Sequence, residues 1–276
     1  MPLPESPVPE AFKAFELQGW QAAAHTYHSE FGRLTSQIAG ALLDAAGVKR
    51  DTRVLDVASG PGYVAGMAAA RGARVTGCDL SPEMVELASQ SYPTVAFRIA
   101  DAEALEFPDR VFGAVTMSFL IGHLGRPAAA LREAFRVLED GGRLAISWWV
   151  GFDRAVAFGL INDAIRARGR TDVELPAAPP FDTFSRPDTL RGALAEAGFV
   201  DVKVVEQPMT WRVKSSDELF EAYYDGTVRT AGLLHGQTPE ALAAIRAELK
   251  TSCRRWLHGG ELPLPMPAFV ASGLKD

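Results

Sequence analysis

The stretch from Val54 to Gly62, Val-Leu-Asp-Val-Ala-Ser-Gly-Pro-Gly, constrains the fold more than any other part of the chain. Val54, Leu55 and Val57 make the short apolar run of a strand buried in a parallel sheet. Gly60 and Gly62 then let the backbone turn sharply and approach a ligand closely. A helix beginning near Tyr63 points its N-terminus at that ligand.

Two nucleotide-type cofactors bind such a turn. Gly60, Gly62 and Ala65 fit the dinucleotide pattern G-x-G-x-x-G/A, and Asp79 ends the apolar run Val75 to Cys78 about twenty residues on, where a ribose-binding acid belongs. A nicotinamide or flavin enzyme is one reading of that match. Asp56 and Pro61 favour another. A carboxylate at the strand tip repels a pyrophosphate, and Pro61 removes a backbone N–H from the loop that would cradle phosphates. A ligand with an ammonium, a sulfonium and no phosphate suits Asp56 better. Ala100-Asp101-Ala102 follows another short strand, Val95 to Ile99, and can place a further acid beside an adenine amino group.

With these motifs in order, the chain from Thr52 to Trp148 resembles the class I S-adenosylmethionine-dependent methyltransferases. Within them it looks like the small-molecule branch that includes the ubiquinone and menaquinone C-methyltransferases. Val54 to Gly62 matches the first motif, Asp79 the ribose-binding acid and Asp101 the adenine-binding acid. Ala58 stands where that family often has glycine, which bears only on the tightness of the turn. The resemblance implies S-adenosyl-L-methionine as cofactor. Asp56 is then expected to hold its ammonium group directly or through water, and Gly60 and Gly62 to admit its methionine portion. Asp79 meets the ribose and Asp101 the adenine, with Ala102 packed on the adenine face. Ala58, Pro61, Leu80, Met84 and Ser118 are expected to complete the cofactor wall. The leading segment commonly folds over the cofactor in that family and would bring Tyr27 to it; the alternative for Tyr27 is a packed ring with its hydroxyl exposed.

Phe12 to Ala24 has helical spacing, and Phe31, Leu34, Ile38, Leu42 and Leu43 repeat at the interval of a second amphipathic helix ended by Gly47. The polar cluster His25 to His28 lies between them. From Thr52 strands alternate with helices, which implies a parallel sheet. The expected fold is α/β: a Rossmann-like, seven-stranded, mostly parallel sheet with helices on both faces, an antiparallel last strand between the fifth and sixth, and helical lid insertions. Residues 1–50 form the N-terminal helical segment over the cofactor site and 51–150 the cofactor-binding core. Residues 151–186 are one lid insertion, 187–206 the core continued, 207–265 a second lid insertion and 266–276 the last core strand.

Methyl transfer is an in-line displacement in which the protein mainly aligns the reactants and excludes water. A general base is needed only for a hydroxyl, thiol or activated carbon acid. His123, just beyond the fourth strand, is the candidate; a histidine that merely hydrogen-bonds a neighbouring loop is the alternative. Members of this fold that methylate exocyclic or amide nitrogens carry an acidic or amide residue, two prolines and an aromatic after the fourth strand. Thr116-Met117-Ser118-Phe119 has none of these. Trp148, Trp149, Phe152, Phe181, Phe184, Trp211, Phe220, Tyr223 and Tyr224 cluster at the two insertions, as the lining of an apolar acceptor pocket or as core. The function expected is methylation of a small, hydrophobic or aromatic molecule at oxygen or carbon. The alternatives are a nicotinamide-dependent oxidoreductase and a non-catalytic S-adenosylmethionine-binding protein.

Composition narrows the partners. The formal charge of −6 offers no positive field for a phosphate backbone, so nucleic acid is not expected. Two cysteines without metal-ligand spacing predict neither a disulfide framework nor a metal site, and fit a reducing cytoplasm. Met1 to Glu10 lacks the pattern of a secretion signal, and the apolar stretch from Leu144 to Phe152 is too short to span a membrane. A homo-oligomer is compatible with the sequence.

Overall fold

The computed structural model describes residues 3–276. The first helix, α1 (Pro9–Thr26), buries Phe12, Glu16, Ala23 and Ala24 on one face. The cluster His25 to His28 is not the break expected. A π-helical turn (Tyr27–Phe31) carries the helix on into α2 (Gly32–Thr35), and a 3₁₀ turn (Ser36–Ile38) leads to α3 (Ala39–Ala45). Gly47, at φ 68°, stops the run in the left-handed conformation that glycine adopts without steric cost.

The core then alternates through β1 (Arg53–Val57), α4 (Tyr63–Ala70), β2 (Arg74–Asp79), α5 (Pro82–Ser91) and β3 (Ala96–Ile99). It continues through β4 (Phe112–Ser118), α6 (Pro127–Val137) and β5 (Leu138–Trp149). The first insertion holds α7 (Val156–Arg168) and precedes α8 (Pro187–Glu196) and β6 (Val200–Gln207). The second holds β7 (Thr210–Val213), α9 (Ser216–Gly226), α10 (Arg229–His235), α11 (Pro239–Cys253) and β8 (Leu262–Pro265), and β9 (Ala268–Leu274) follows it. β5 starts at Leu138 and not at the expected Arg143. Phe112 pairs with Leu138 and Ala114 with Arg143, so Glu139 to Gly142 is an irregularity inside the strand pairing.

The seven-stranded sheet has the order β3-β2-β1-β4-β5-β9-β6. β9 is antiparallel to both β5 and β6 and lies between them, as expected. The chain moves outward in one direction through β1, β2 and β3, and in the other through β4 and β5. Right-handed crossovers therefore put α4 and α5 on one face and α6 on the opposite one. The reversal between β1 and β4 opens a crevice at the carboxyl ends of these strands, where ligands of such sheets bind. Val54, Leu55 and Val57 anchor its floor at 0–1 % exposure, each burial contributing roughly 1.5–3 kcal/mol.

β7 and β8 pair as a separate two-stranded sheet that joins the two ends of the second insertion. Among the described residues no helix is long and apolar enough to cross a membrane. Cys78 and Cys253 are both free and buried.

Candidate active site

Beyond β1 the chain turns through Ala58 (φ 53°) and Gly60 (φ 51°), both left-handed and both lining a cavity. Such a torsion costs alanine about 1–2 kcal/mol, and the turn closes with Ala58 nonetheless. A methyl group on Gly60 would meet nothing within 4 Å, so torsion and not crowding favours glycine there. Gly62 differs. It caps α4 at φ 89°, and a Cβ on it would lie 2.9 Å from Tyr92 and 3.0 Å from Phe97. Neither Gly62 nor Pro61, both expected at the cofactor, lines the cavity. Gly62 instead lets α4 sit close to Tyr92 and Phe97. Gly62→Ala is expected to cost about 2 kcal/mol in urea unfolding from its torsion and this crowding; an unchanged midpoint would remove that account.

Asp56, expected at the ammonium group, does not reach the cavity wall. Its side chain faces the interior, with the residue 1 % exposed. Oδ2 accepts the Ala65 N–H at 3.0 Å and Oδ1 accepts the Thr116 hydroxyl at 2.8 Å. Asp56 therefore caps α4 from beneath and ties it to β4. Burial pushes its carboxyl up to about 7, against the pull of those two hydrogen bonds.

Asp79, the last residue of β2, does reach the cavity. Its Oδ2 accepts the Gly60 N–H at 2.9 Å and its Oδ1 the Ser81 N–H at 2.9 Å. Ser81 caps α5 through Met84 N, so capping does not require Asp79. Burial raises the Asp79 carboxyl, and the backbone donors of Ser81, Gly60 and Leu80 oppose that rise. The amides of Gly60 and Ala65, which a pyrophosphate would need, are thus committed to carboxylates.

The cavity measures about 300 Å³. Leu80, Met84, Ala102 and Ser118 line it, with Asp101 and Tyr27. Asp101 already has a partner: its Oδ2 lies 2.7 Å from Lys13 Nζ of α1, which also pairs with Glu103 at 2.8 Å. The Tyr27 hydroxyl donates to Thr35 at 3.1 Å, and burial pushes it up to about 12, so it is held as a neutral phenol. His123 ends a 3₁₀ turn (Ile121–His123) after β4, with Nδ1 3.1 Å from Glu16 Oε2. Its ring lies within 6.0 Å of Trp20, Trp148 and Phe181.

The aromatic cluster divides. Trp149, Phe152 and Phe181 line the cavity, whereas Trp148, Phe184, Trp211, Phe220 and Tyr223 are core at 0–1 % exposure and Tyr224 lies outside the wall. Lys13, Glu16 and Arg229 also line it, and sequence reasoning missed all three. Glu16 alone carried a signal. It lies one turn after Phe12 and one before Trp20, between two large rings on α1.

Comparison with known proteins agrees with this geometry. The Methyltransferase domain family matches residues 55–146. A demethylmenaquinone methyltransferase of Thermus thermophilus is 35% identical over 178 residues, spanning 57% of this chain and 78% of that protein. The chain belongs to the class I S-adenosylmethionine-dependent methyltransferases. An uncharacterized protein of Mycobacterium tuberculosis matches this methyltransferase at 29% identity over 240 residues, 83% of this chain and 84% of the relative. The fold matches that of the YcgJ protein from Bacillus subtilis with a TM-score of 0.58 at 20% identity, over 87% of this chain and 98% of that one.

The cofactor of the methyltransferase is S-adenosylmethionine. The cavity fits it in charge: two of the carboxylates in its wall, Asp79 and Asp101, suit a cationic and phosphate-free molecule. The nicotinamide alternative is set aside by the family and by the committed amides of the turn.

Proposed function

We propose that this methyltransferase acts on a small, apolar or aromatic molecule at oxygen or carbon. What carries the reading is one cavity whose wall combines Asp79 and Asp101 with Phe31, Phe119, Trp149, Phe152, Phe158 and Phe181. Relatives named for demethylmenaquinone point the same way. Asp79 would hold the ribose and Asp101 the adenine amino group, sharing its charge with Lys13. Ala102, Leu80 and Met84 would pack around the base, Ser118 and Ala58 would flank the sulfur, and Gly60 would admit the methionine portion. Tyr27 would cover the cofactor from the end of α1. The N-terminal segment and the insertions 151–186 and 207–265 contribute cavity residues and would act as its lid.

S-adenosylmethionine supplies an electrophilic methyl group on a sulfonium. The chain's part is to align the acceptor and exclude water, effects that together reach the order of 7–11 kcal/mol in the best intramolecular cases. His123 would accept the acceptor's proton. The test is release of S-adenosylhomocysteine with a panel of phenols, enols, quinols, amines and carboxylates. Turnover of the first three supports the reading. Turnover of amines alone, or cofactor binding without any turnover, sinks it.

The chamber itself can be tested through Phe152, half-buried in the first insertion. Phe152→Ala is expected to raise acceptor KM about tenfold, the equivalent of roughly 1.5 kcal/mol of lost apolar contact, with S-adenosylhomocysteine affinity unchanged. An unaltered KM would mean that the aromatic wall is only core. Tyr223 is no probe of this, because it packs between Phe31, Phe158 and Trp211.

A further inference from the structure

Glu16 has no part in binding the cofactor as proposed above, yet its side chain is only 5% exposed in the cavity wall. Its Oε2 lies 3.0 Å from the Trp20 indole nitrogen and 3.1 Å from His123 Nδ1. Its Oε1 makes no hydrogen bond and faces Arg229, whose Nε is 3.7 Å away. Arg229 is itself anchored to the Pro179 carbonyl at 2.8 Å and lies beside the Phe12 and Phe181 rings. Burying a carboxylate on an apolar helix face is costly unless it is paired. An apolar side chain there would pack α1 without that cost.

An indole N–H and a guanidinium can only donate. A carboxylate held between them accepts, so the imidazole must present Nδ1 to it as N–H. In the neutral ring Nε2 is then the lone-pair nitrogen, and it makes no hydrogen bond among the described residues.

We infer that Glu16 is the positioning residue for His123, fixing the tautomer with Nδ1 protonated so that Nε2 takes the proton of an acceptor hydroxyl. The inference rests on the reading of His123 as the base, and it narrows the acceptor to a phenol or an enol. A neutral amine attacks through a lone pair that is already free and needs no base beforehand. In the step, the acceptor O–H bond breaks with its electron pair left on oxygen, and the proton goes to Nε2. The acceptor oxygen, or the conjugated carbon of an enol, forms the new bond to the methyl carbon, while the carbon–sulfur pair stays with sulfur. Glu16 balances the imidazolium until its proton passes to solvent.

The deciding measurement is the nitrogen spectrum of full-length protein carrying ¹⁵N-labelled histidine, taken at neutral pH with and without S-adenosylhomocysteine. His123 is assigned by its loss in His123→Asn. The wild type is expected to show Nδ1 as a protonated, pyrrole-type nitrogen and Nε2 as a pyridine-type one. Glu16→Met should move the proton to Nε2. A wild-type spectrum with the proton on Nε2, or on both nitrogens, overturns the inference whether or not the variant folds. Calorimetry on the same samples separates the two readings: S-adenosylhomocysteine bound beside the wrong tautomer overturns only the role of Glu16, and failure to bind it beside the expected tautomer overturns only the cofactor site. With a phenolic acceptor, Glu16→Gln should lower kcat on the order of 10²-fold at unchanged KM. A retained kcat overturns the inference too.

Discussion

Asp79→Ala is expected to weaken S-adenosylhomocysteine binding on the order of 10- to 100-fold, since hydrogen bonds to a charged group contribute roughly 1.5–3 kcal/mol. The carboxylate ends β2 inside the cavity and already orders the turn through Gly60 N–H. Its loss therefore removes a ligand contact and loosens the loop that flanks it. Asp79→Asn separates the two contributions, because the amide keeps the shape while one arm becomes a donor facing a backbone N–H. S-adenosylhomocysteine carries no sulfonium, so calorimetry with it reads the ribose contact rather than long-range charge. The raised Asp79 carboxyl adds a sign: affinity should fall as pH drops through that raised value, because the neutral acid accepts less well. An affinity that survives Asp79→Ala intact would remove Asp79 from the site, and with it the electrostatic reading of the crevice.

Local pattern made the sheet legible. β1, the glycine turn and α4 follow each other without interruption, and Asp79 ends a strand while Asp101 and His123 each follow one, so their position followed from chain order alone. Asp56 was misplaced because a parallel strand buried on both faces shows no polar alternation to say where a side chain points. Its carboxylate reads as a ligand residue in sequence and turns out to cap a helix. Arg229 and Lys13 depend on where whole helices dock, and nothing near them in sequence reports that. The β7–β8 pair escaped notice for a related reason. Its strands lie far apart in the chain, and Pro263 and Pro265 make the second unlike a strand. Tyr223 illustrates the opposite error, an aromatic near the site by sequence that serves only to pack the insertion against Phe31.

The largest effect is expected at Asp56 and concerns stability against pH. Burial holds its carboxyl at about 7 in the fold, against 3.8 for an ordinary aspartate. Between these values the folded chain binds more protons than the unfolded one, so stability falls as pH rises through that window and levels off above it. The full penalty is about 4 kcal/mol, three pH units at about 1.4 kcal/mol each. Asp56→Asn keeps an oxygen for Ala65 N–H and offers its amide to the Thr116 hydroxyl, which can accept as well as donate. The variant should resemble the wild type near pH 4 and become progressively more stable than it toward pH 7, by up to about 4 kcal/mol in urea unfolding. Asp79 raises the Asp56 carboxyl through space, so the difference reads the ionisation of Asp56 together with its repulsion from Asp79. A gap between variant and wild type that stays the same across this range would mean that Asp56 is charged throughout. The cap on α4 would then be a carboxylate stabilised by its two donors, and burial would not set the pH response of the fold.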